Sequence, residues 1–272
     1  MYYSVVNDQI ESLWLPGAVD THCHLDHVEK KGIDVPKLLR EADTARFGRL
    51  IDVGITPPDL DGRRARFASP DLVSFTSGLH PTEVTPKAWS DAVLLLEQQL
   101  QESENKVVAV GECGIDLYWS DEHYSDQLAA LTAQAHLASQ HELPLILHNR
   151  SSEHQMLSFL RDVRPLGIMH CFSQDEEYCH SCVDLDMYVS FGGNLTYKKS
   201  NGIRAAAAIV PDELLLVETD APYLSPQTVR GKMNHSGHLG FTIHALAEIR
   251  ETTAERIAEI TATNARRLFR LE

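Results

Sequence analysis

The chain is short of positive charge. Lysine and arginine number 24 against 39 aspartates and glutamates, a net charge of −15 over 272 residues. That argues against a broad basic footprint for long duplex nucleic acid, while leaving room for a local basic patch or for cations that recruit phosphate. Paired cysteines are also missing. The five cysteines are odd in number and suggest no disulfide framework, which fits a reducing compartment. Cys179 and Cys182 stand in a C-H-S-C pattern with no second pair at zinc-finger spacing, so they read as surface or packing residues. Long apolar runs are absent, and no membrane span is expected. Met1 to Leu15 lacks a basic start and carries Asp8 and Glu11, unlike a signal peptide. A cytoplasmic protein with no membrane association and no obligate protein partner is expected. Linker-like tracts, low-complexity runs and obvious repeats are lacking too, so a single domain is expected, with residues 1–17 as an N-terminal extension.

What the chain does have is alternation. Short apolar β-rich runs at 18–25, 49–54, 72–78, 107–110, 143–147, 166–169, 187–191 and 213–217 are separated by helical patterns. The helical patterns lie at 34–47, 59–68, 89–102, 121–141, 152–163, 175–184 and 198–210, and two more close the chain at 239–250 and 253–269. Asp34 reads as an N-cap, with Pro36 in the first turn. Alternation of this kind implies a parallel sheet with right-handed crossovers. Eight such units in a chain of this length predict an α/β fold, a (β/α)₈ TIM barrel over about residues 18–272. The polar stretch 224–239 is long for a loop in a compact barrel, which marks it as functional.

Titratable residues gather where these strands end. His22 and His24 are two apart on the first strand and so point the same way. Later strands end in His80, Glu112, His148, His170, and the pair Glu218 and Asp220. In a barrel all these ends meet on one face, where barrel active sites sit. Five histidines and up to three carboxylates exceed what one structural ion needs, and suit two divalent ions bridged by a carboxylate. Imidazole favours zinc and similar ions, while the carboxylates admit manganese or magnesium.

Six blocks in this order carry a resemblance. Asp20-Thr21-His22-Cys23-His24-Leu25-Asp26, Gly78-Leu79-His80-Pro81, Gly111-Glu112-Cys113-Gly114-Ile115-Asp116 and Met169-His170-Cys171-Phe172-Ser173 are four of them. Glu218-Thr219-Asp220-Ala221-Pro222-Tyr223-Leu224 and Asn264-Ala265-Arg266-Arg267-Leu268-Phe269 complete the set. Together they resemble the TatD family of metal-dependent hydrolases and deoxyribonucleases, within the amidohydrolase-like superfamily, from Val19 to Phe269. The resemblance implies a metal-dependent hydrolase of phosphodiester bonds acting as an exonuclease on DNA ends. It implies His22, His24, Glu112 and Asp220 around one divalent ion and Glu112, His148 and His170 around another, with Glu112 as the bridge. By the same carry-over Asp220 takes a proton from the attacking water, and His80 faces the substrate phosphate or steadies the leaving group. One block departs from the family. Where Arg-Asn-Glu-Pro is usual, this chain has Met233-Asn234-His235-Ser236, which puts substrate preference and the anchoring of that loop in question.

Plainer readings stand beside these. His80 and His170 also read as hydrogen-bonded rim histidines. Glu218 reads as a carboxylate that orients an imidazole or meets substrate rather than as a ligand. Asp116 reads as a helix cap and loop support, and Asp26-His27 as a solvated loop. Tyr118 and Trp119 either stack on a base or pack beneath a loop. Cys23 points away from His22 and His24, toward the barrel exterior. Arg150, Tyr197, Lys198 and Asn234 are the candidate substrate contacts, with Thr196 to Lys199 placed at a helix start. The small basic rim suits an oligonucleotide end or a small phosphorylated substrate. The alternatives are a metal-dependent hydrolase of a small ester, lactone or amide, and a non-catalytic metal-binding scaffold on the same barrel.

Overall fold

The computed structural model describes residues 2–6, 9–102 and 106–271, with side chains from Ser12 onward. The N-terminal extension forms an antiparallel hairpin of β1 (Tyr2–Val6) and β2 (Gln9–Trp14). Trp14 at its end is buried edge-on against Phe47, with ring centroids 5.0 Å apart. The hairpin thus closes the side of the fold rather than trailing from it.

Eight parallel strands follow: β3 (Val19–Cys23), β4 (Arg49–Asp52), β5 (Val73–Phe75), β6 (Val110–Asp116), β7 (Leu145–Arg150), β8 (Gly167–Met169), β9 (Tyr188–Phe191) and β10 (Leu215–Val217). They pair in chain order as two arcs, β3-β4-β5 and β6 through β10. Parallel bridges between Ser77 and Val110 and between Cys23 and Ala221 join the arcs into a ring. His24 N–H donates to the Ala221 carbonyl and Asp220 N–H to that of His22, so the last strand closes on the first beside the first ligands. This is the (β/α)₈ barrel the alternation predicts.

Helices α1 (Leu25–Lys30) through α10 (Ala254–Phe269) wrap the ring. Asp34 caps α2 (Val35–Thr44) as expected, accepting from the Lys37 N–H at 2.8 Å. Two local readings need correction. Asp26 and His27 lie in α1, not in a solvated loop, and Asp26 is buried. The helix expected from Lys198 begins at Asn201 as α8 (Asn201–Ile209), because a 3₁₀ turn over Gly193–Thr196 leaves Tyr197 extended.

The core has two layers. Val19, Ile51, Ile146, Ile168 and Leu216 fill the lower lumen, and Ala265, Leu268 and Phe269 of α10 pack against them. The Asn264 to Phe269 block is therefore structural. Asn264 Nδ2 donates to the Leu215 carbonyl at 2.8 Å, tying α10 to β10. Cys23, Cys113, Cys179 and Cys182 pack in the outer layer between strands and helices, as their sequence contexts suggest. Burying a side chain of this size contributes about 1.5–3 kcal/mol. The lower lumen is thus packed solid, and chemistry is confined to the upper rim.

Candidate metal centre

Two strands carry one extra residue on the way to the rim. Between Asp20 and Cys23, β3 advances three residues while β4 advances two, and β6 does the same against β7 between Val110 and Cys113. Such bulges twist a strand and re-aim its side chains. Here they coincide with His22 and Glu112. Glycines make the second possible. Gly111 has φ +142°, and a Cβ there would meet the Ile146 backbone at 2.7 Å. Gly114 at φ +152° lies against the His148 carbonyl, where no side chain fits. The sequence reading placed Glu112 after a strand; it lies inside β6, held on both sides.

Glu112 is the centre of the site. Its Oε2 faces His22 Nε2 at 3.3 Å and His24 Nε2 at 3.7 Å. Asp220 Oδ1 stands 3.9 and 3.7 Å from the same two nitrogens. The Glu112 Oε1 faces the other way, 2.8 Å from His148 Nδ1, 2.8 Å from His170 Nε2 and 3.4 Å from His80 Nε2. His22, His24 and Asp220 make one donor group and His80, Glu112 and His148 another, and His22, Glu112 and His170 form a third that joins them. The six expected ligands are brought together, and His80 with them.

The far sides of these rings are held. His24 Nδ1 lies 2.9 Å from the Val53 carbonyl, and His148 Nε2 lies 3.1 Å from Asp116 Oδ2. His170 Nδ1 lies 3.3 Å from Glu218 Oε1, which also accepts the Cys171 N–H. Such partners orient an imidazole and set which nitrogen is free for a cation. Glu218 is thus an orienting carboxylate, and Asp116 is one too. Asp116 Oδ1 accepts from the Tyr118 N–H at 3.0 Å, so the loop support expected of it is real but is only half its role. His22 Nδ1 is buried with no hydrogen-bond partner, so its Nε2 alone is engaged, and it points at the centre.

Electrostatics agree with a cation-binding centre. Burial opposes charge on Glu112, yet the surrounding imidazoles hold its carboxyl well below the usual range. Burial likewise opposes charge on His24, but Asp220 and Glu112 push it up to about 9. Burial opposes charge on His148 and His170 as well, but Asp116 and Glu112 raise the first and Glu112 and Glu218 the second. Positive charge is wanted where donor atoms converge, and a proton is the smallest cation that meets the need. Burial lowers His22 and His80, which stay neutral. For His80 the tautomer follows from its neighbours. Its Nδ1 accepts the Thr82 N–H at 3.1 Å, so the hydrogen sits on Nε2 and points into the site.

Behind the first donor group lies a network that sequence reasoning missed. Arg63, fully buried, bonds Asp52 Oδ2 at 2.9 Å and Asp59 Oδ1 at 2.6 Å. Asp52 Oδ1 in turn accepts the Leu25 N–H at 2.8 Å, directly after His24. The sequence signal was the Asp59–Arg63 spacing of four on α3 (Leu60–Phe67) and its preceding turn. Asp220 and Cys171 both adopt left-handed backbone, φ +52° and +48°, uncommon without glycine and concentrated at functional sites.

The centre opens into a cavity of about 800 Å³ lined by Arg150, Tyr197, Tyr223 and every donor residue except His22, among others. The substrate candidates divide here. Arg150 lines it. Tyr197 lines it too, but its hydroxyl donates to the Ser225 carbonyl at 3.1 Å and Arg230 covers its ring at 4.4 Å. Lys198 is exposed and does not line the cavity, because the helix meant to present it starts later. Asn234 is buried and meets no substrate space. It donates to the Thr219 and Tyr223 carbonyls and accepts from His235 N–H and His238 Nδ1. The departure in that block therefore keeps the anchor, with His235 and His238 around it.

The whole of residues 19–270 matches the model of the TatD-related DNase family. The chain belongs to that family. It is a metal-dependent hydrolase by that membership, and its relatives agree. The Mycobacterium tuberculosis protein named TatD, an uncharacterized metal-dependent hydrolase, is 35% identical over 266 residues, covering 93% of this chain and 98% of its own. YabD of Bacillus subtilis, named in the same terms, is 32% identical over 255 residues, with 93% and 98% covered. The crystal structure of YjjV, a TatD homologue from Escherichia coli K12, superposes with a TM-score of 0.85 at 29% identity, over 94% of this chain and 99% of that one. Among the described residues no helix is long and apolar enough to cross a membrane.

Proposed function

We propose that this TatD-family hydrolase is a phosphodiesterase that removes nucleotides from DNA ends, using two divalent ions of zinc, manganese or magnesium. The observation that supports it is Glu112, whose two oxygens face two separate groups of imidazoles. His22, His24, Glu112 and Asp220 would hold one ion, and Glu112, His148 and His170 the other. Ions held there supply positive charge against an anionic diester and acidify a nucleophilic water.

The remaining chemistry belongs to the chain. Burial works against the Asp220 charge, but His24, His22 and His170 hold its carboxyl below the usual range. It is ionised at neutral pH and free to accept a proton from water. Its left-handed backbone fixes where it does so. His80 presents Nε2–H to the cavity and donates it to a phosphate oxygen or to the leaving oxygen. It does this as a neutral ring, since burial lowers its pKa. Arg150 at the rim supplies charge to a neighbouring phosphate.

Release of mononucleotides from end-labelled oligonucleotides, dependent on added divalent ion and abolished by EDTA, tests the reading. A second reading has its own support: Arg150 is the one lysine or arginine lining the cavity among the described residues, which suits a small uncharged ester or lactone. Fast turnover of such esters with no cleavage of any oligonucleotide would establish that reading instead.

A further inference from the structure

An aromatic group on the rim is unexplained by the donor cluster. Trp119 is 76% exposed, the most exposed of the described large hydrophobic side chains, and Tyr118 beside it is 54% exposed. Their rings meet edge to face at 4.7 Å. The Arg150 guanidinium lies 3.7 Å from the Tyr118 ring centre and 5.7 Å from that of Trp119. The pair does not pack beneath a loop. It stands in solvent, held by a cation that also lines the cavity.

The group is wired to the site. Leu117 N–H donates to the Arg150 carbonyl at 2.9 Å, and Tyr118 N–H to Asp116 Oδ1 at 3.0 Å. Asp116 Oδ2 meets His148. The aromatic pair is therefore registered against one donor group through a single carboxylate.

We propose that Trp119 and Tyr118, backed by Arg150, form a stacking surface for an unpaired nucleobase next to the phosphodiester being cut. This rests on the phosphodiesterase reading above. Every base has a π face, so aromatic stacking binds single strands with little regard to sequence. Arg150 adds cation–π attraction to the rings and charge for the adjoining phosphate. A protein partner is the competing occupant of exposed aromatics. The position of Arg150 in the cavity wall favours a ligand that brings phosphate and ring together. A terminal base pair offers one open face and an unpaired base two, so the surface favours frayed or single-stranded ends. An acidic body that cannot wrap duplex fits the same selection.

The test uses metal-replete wild type, Trp119→Ala, Tyr118→Ala and Trp119→Phe on single-stranded oligonucleotides with normal or abasic terminal residues. Trp119→Ala is expected to raise KM about tenfold with kcat kept, the scale of one base–aromatic stack. Abasic ends should raise the wild-type KM by the same factor, add nothing in Trp119→Ala, and Trp119→Phe should restore most of the loss. Unchanged KM in both alanine variants, or an abasic penalty that persists in Trp119→Ala, overturns the stacking surface while leaving the phosphodiesterase standing. Wild type that cuts no oligonucleotide with zinc, manganese or magnesium overturns both.

Discussion

The two donor groups either side of Glu112 are built differently. His22 lies in β3 and His24 one residue beyond its end, closed over by the last strand, with side chains 0% and 4% exposed. His80, His148 and His170 come from three separate segments and are 13%, 16% and 5% exposed, all lining the cavity. One group is walled by the Arg63–Asp52 network and by the loop that Asn234 ties to Thr219. The other is steadied by single carboxylates, Asp116 and Glu218. On the two-ion proposal this is a division of labour: the shielded group would keep an ion, and the open one would exchange it and meet substrate.

The largest effect should come from removing what the groups share. Glu112→Gln is expected to lower kcat/KM by at least about 10⁴-fold, the top of the range for losing one proton-transfer group, because both sets lose a member. Metal analysis should show both sites depleted; retention of one full equivalent would break the symmetry argued from the two oxygens. Asp220→Asn comes next, with kcat down about 10²- to 10⁴-fold and the protein still folded. Asp116→Asn sharpens the contrast further. It should weaken the open site about 10- to 100-fold and leave the shielded site unchanged, read by titration of metal into chelated protein. Stepwise chelation should likewise empty the open site first, and simultaneous loss would remove the distinction.

Stability, rather than activity, is at stake in the loop behind the shielded group. Burial pushes the His235 imidazole down to about 4, and its Nδ1 accepts the Gly237 N–H at 3.2 Å. The unfolded chain therefore binds a proton below about pH 6.5 that the folded chain refuses, so stability falls as pH drops from 6.5 toward 4. The loss reaches about 3 kcal/mol at the acid end. Denaturant midpoints against pH should show it, and His235→Phe should flatten that part of the profile. An identical slope in the variant would place the acid sensitivity elsewhere.

Much of this was legible beforehand. The barrel follows from period-2 and helical patterns repeating eight times, since local hydrophobic spacing reports local structure directly. The gathering of imidazoles and carboxylates on one rim follows from residue types at strand ends, whereas their sorting into two ion sites is what the family resemblance implies. Less legible was anything that depends on a partner from far along the chain. The N-terminal hairpin has no strong alternation of its own and is recognised through Trp14 against Phe47. Lys198 was misplaced because a 3₁₀ turn, not a helix start, follows β9. Asp116 was read as a cap because its nearest neighbour is the Tyr118 amide, while His148 lies 32 residues on.

By itself, then, the sequence determined the strand order, the inventory of imidazoles and carboxylates, and the parity that turns His22 and His24 together and Cys23 away. Only the tertiary structure decided which Glu112 oxygen serves which group, which nitrogen of each ring is free, and that Trp119 stands in solvent beside Arg150. The physical reason is the pair of bulges. Alternation along a strand is a property of its own backbone, but an extra residue is inserted against a neighbour's register, and β4 and β7 set that register for His22 and Glu112.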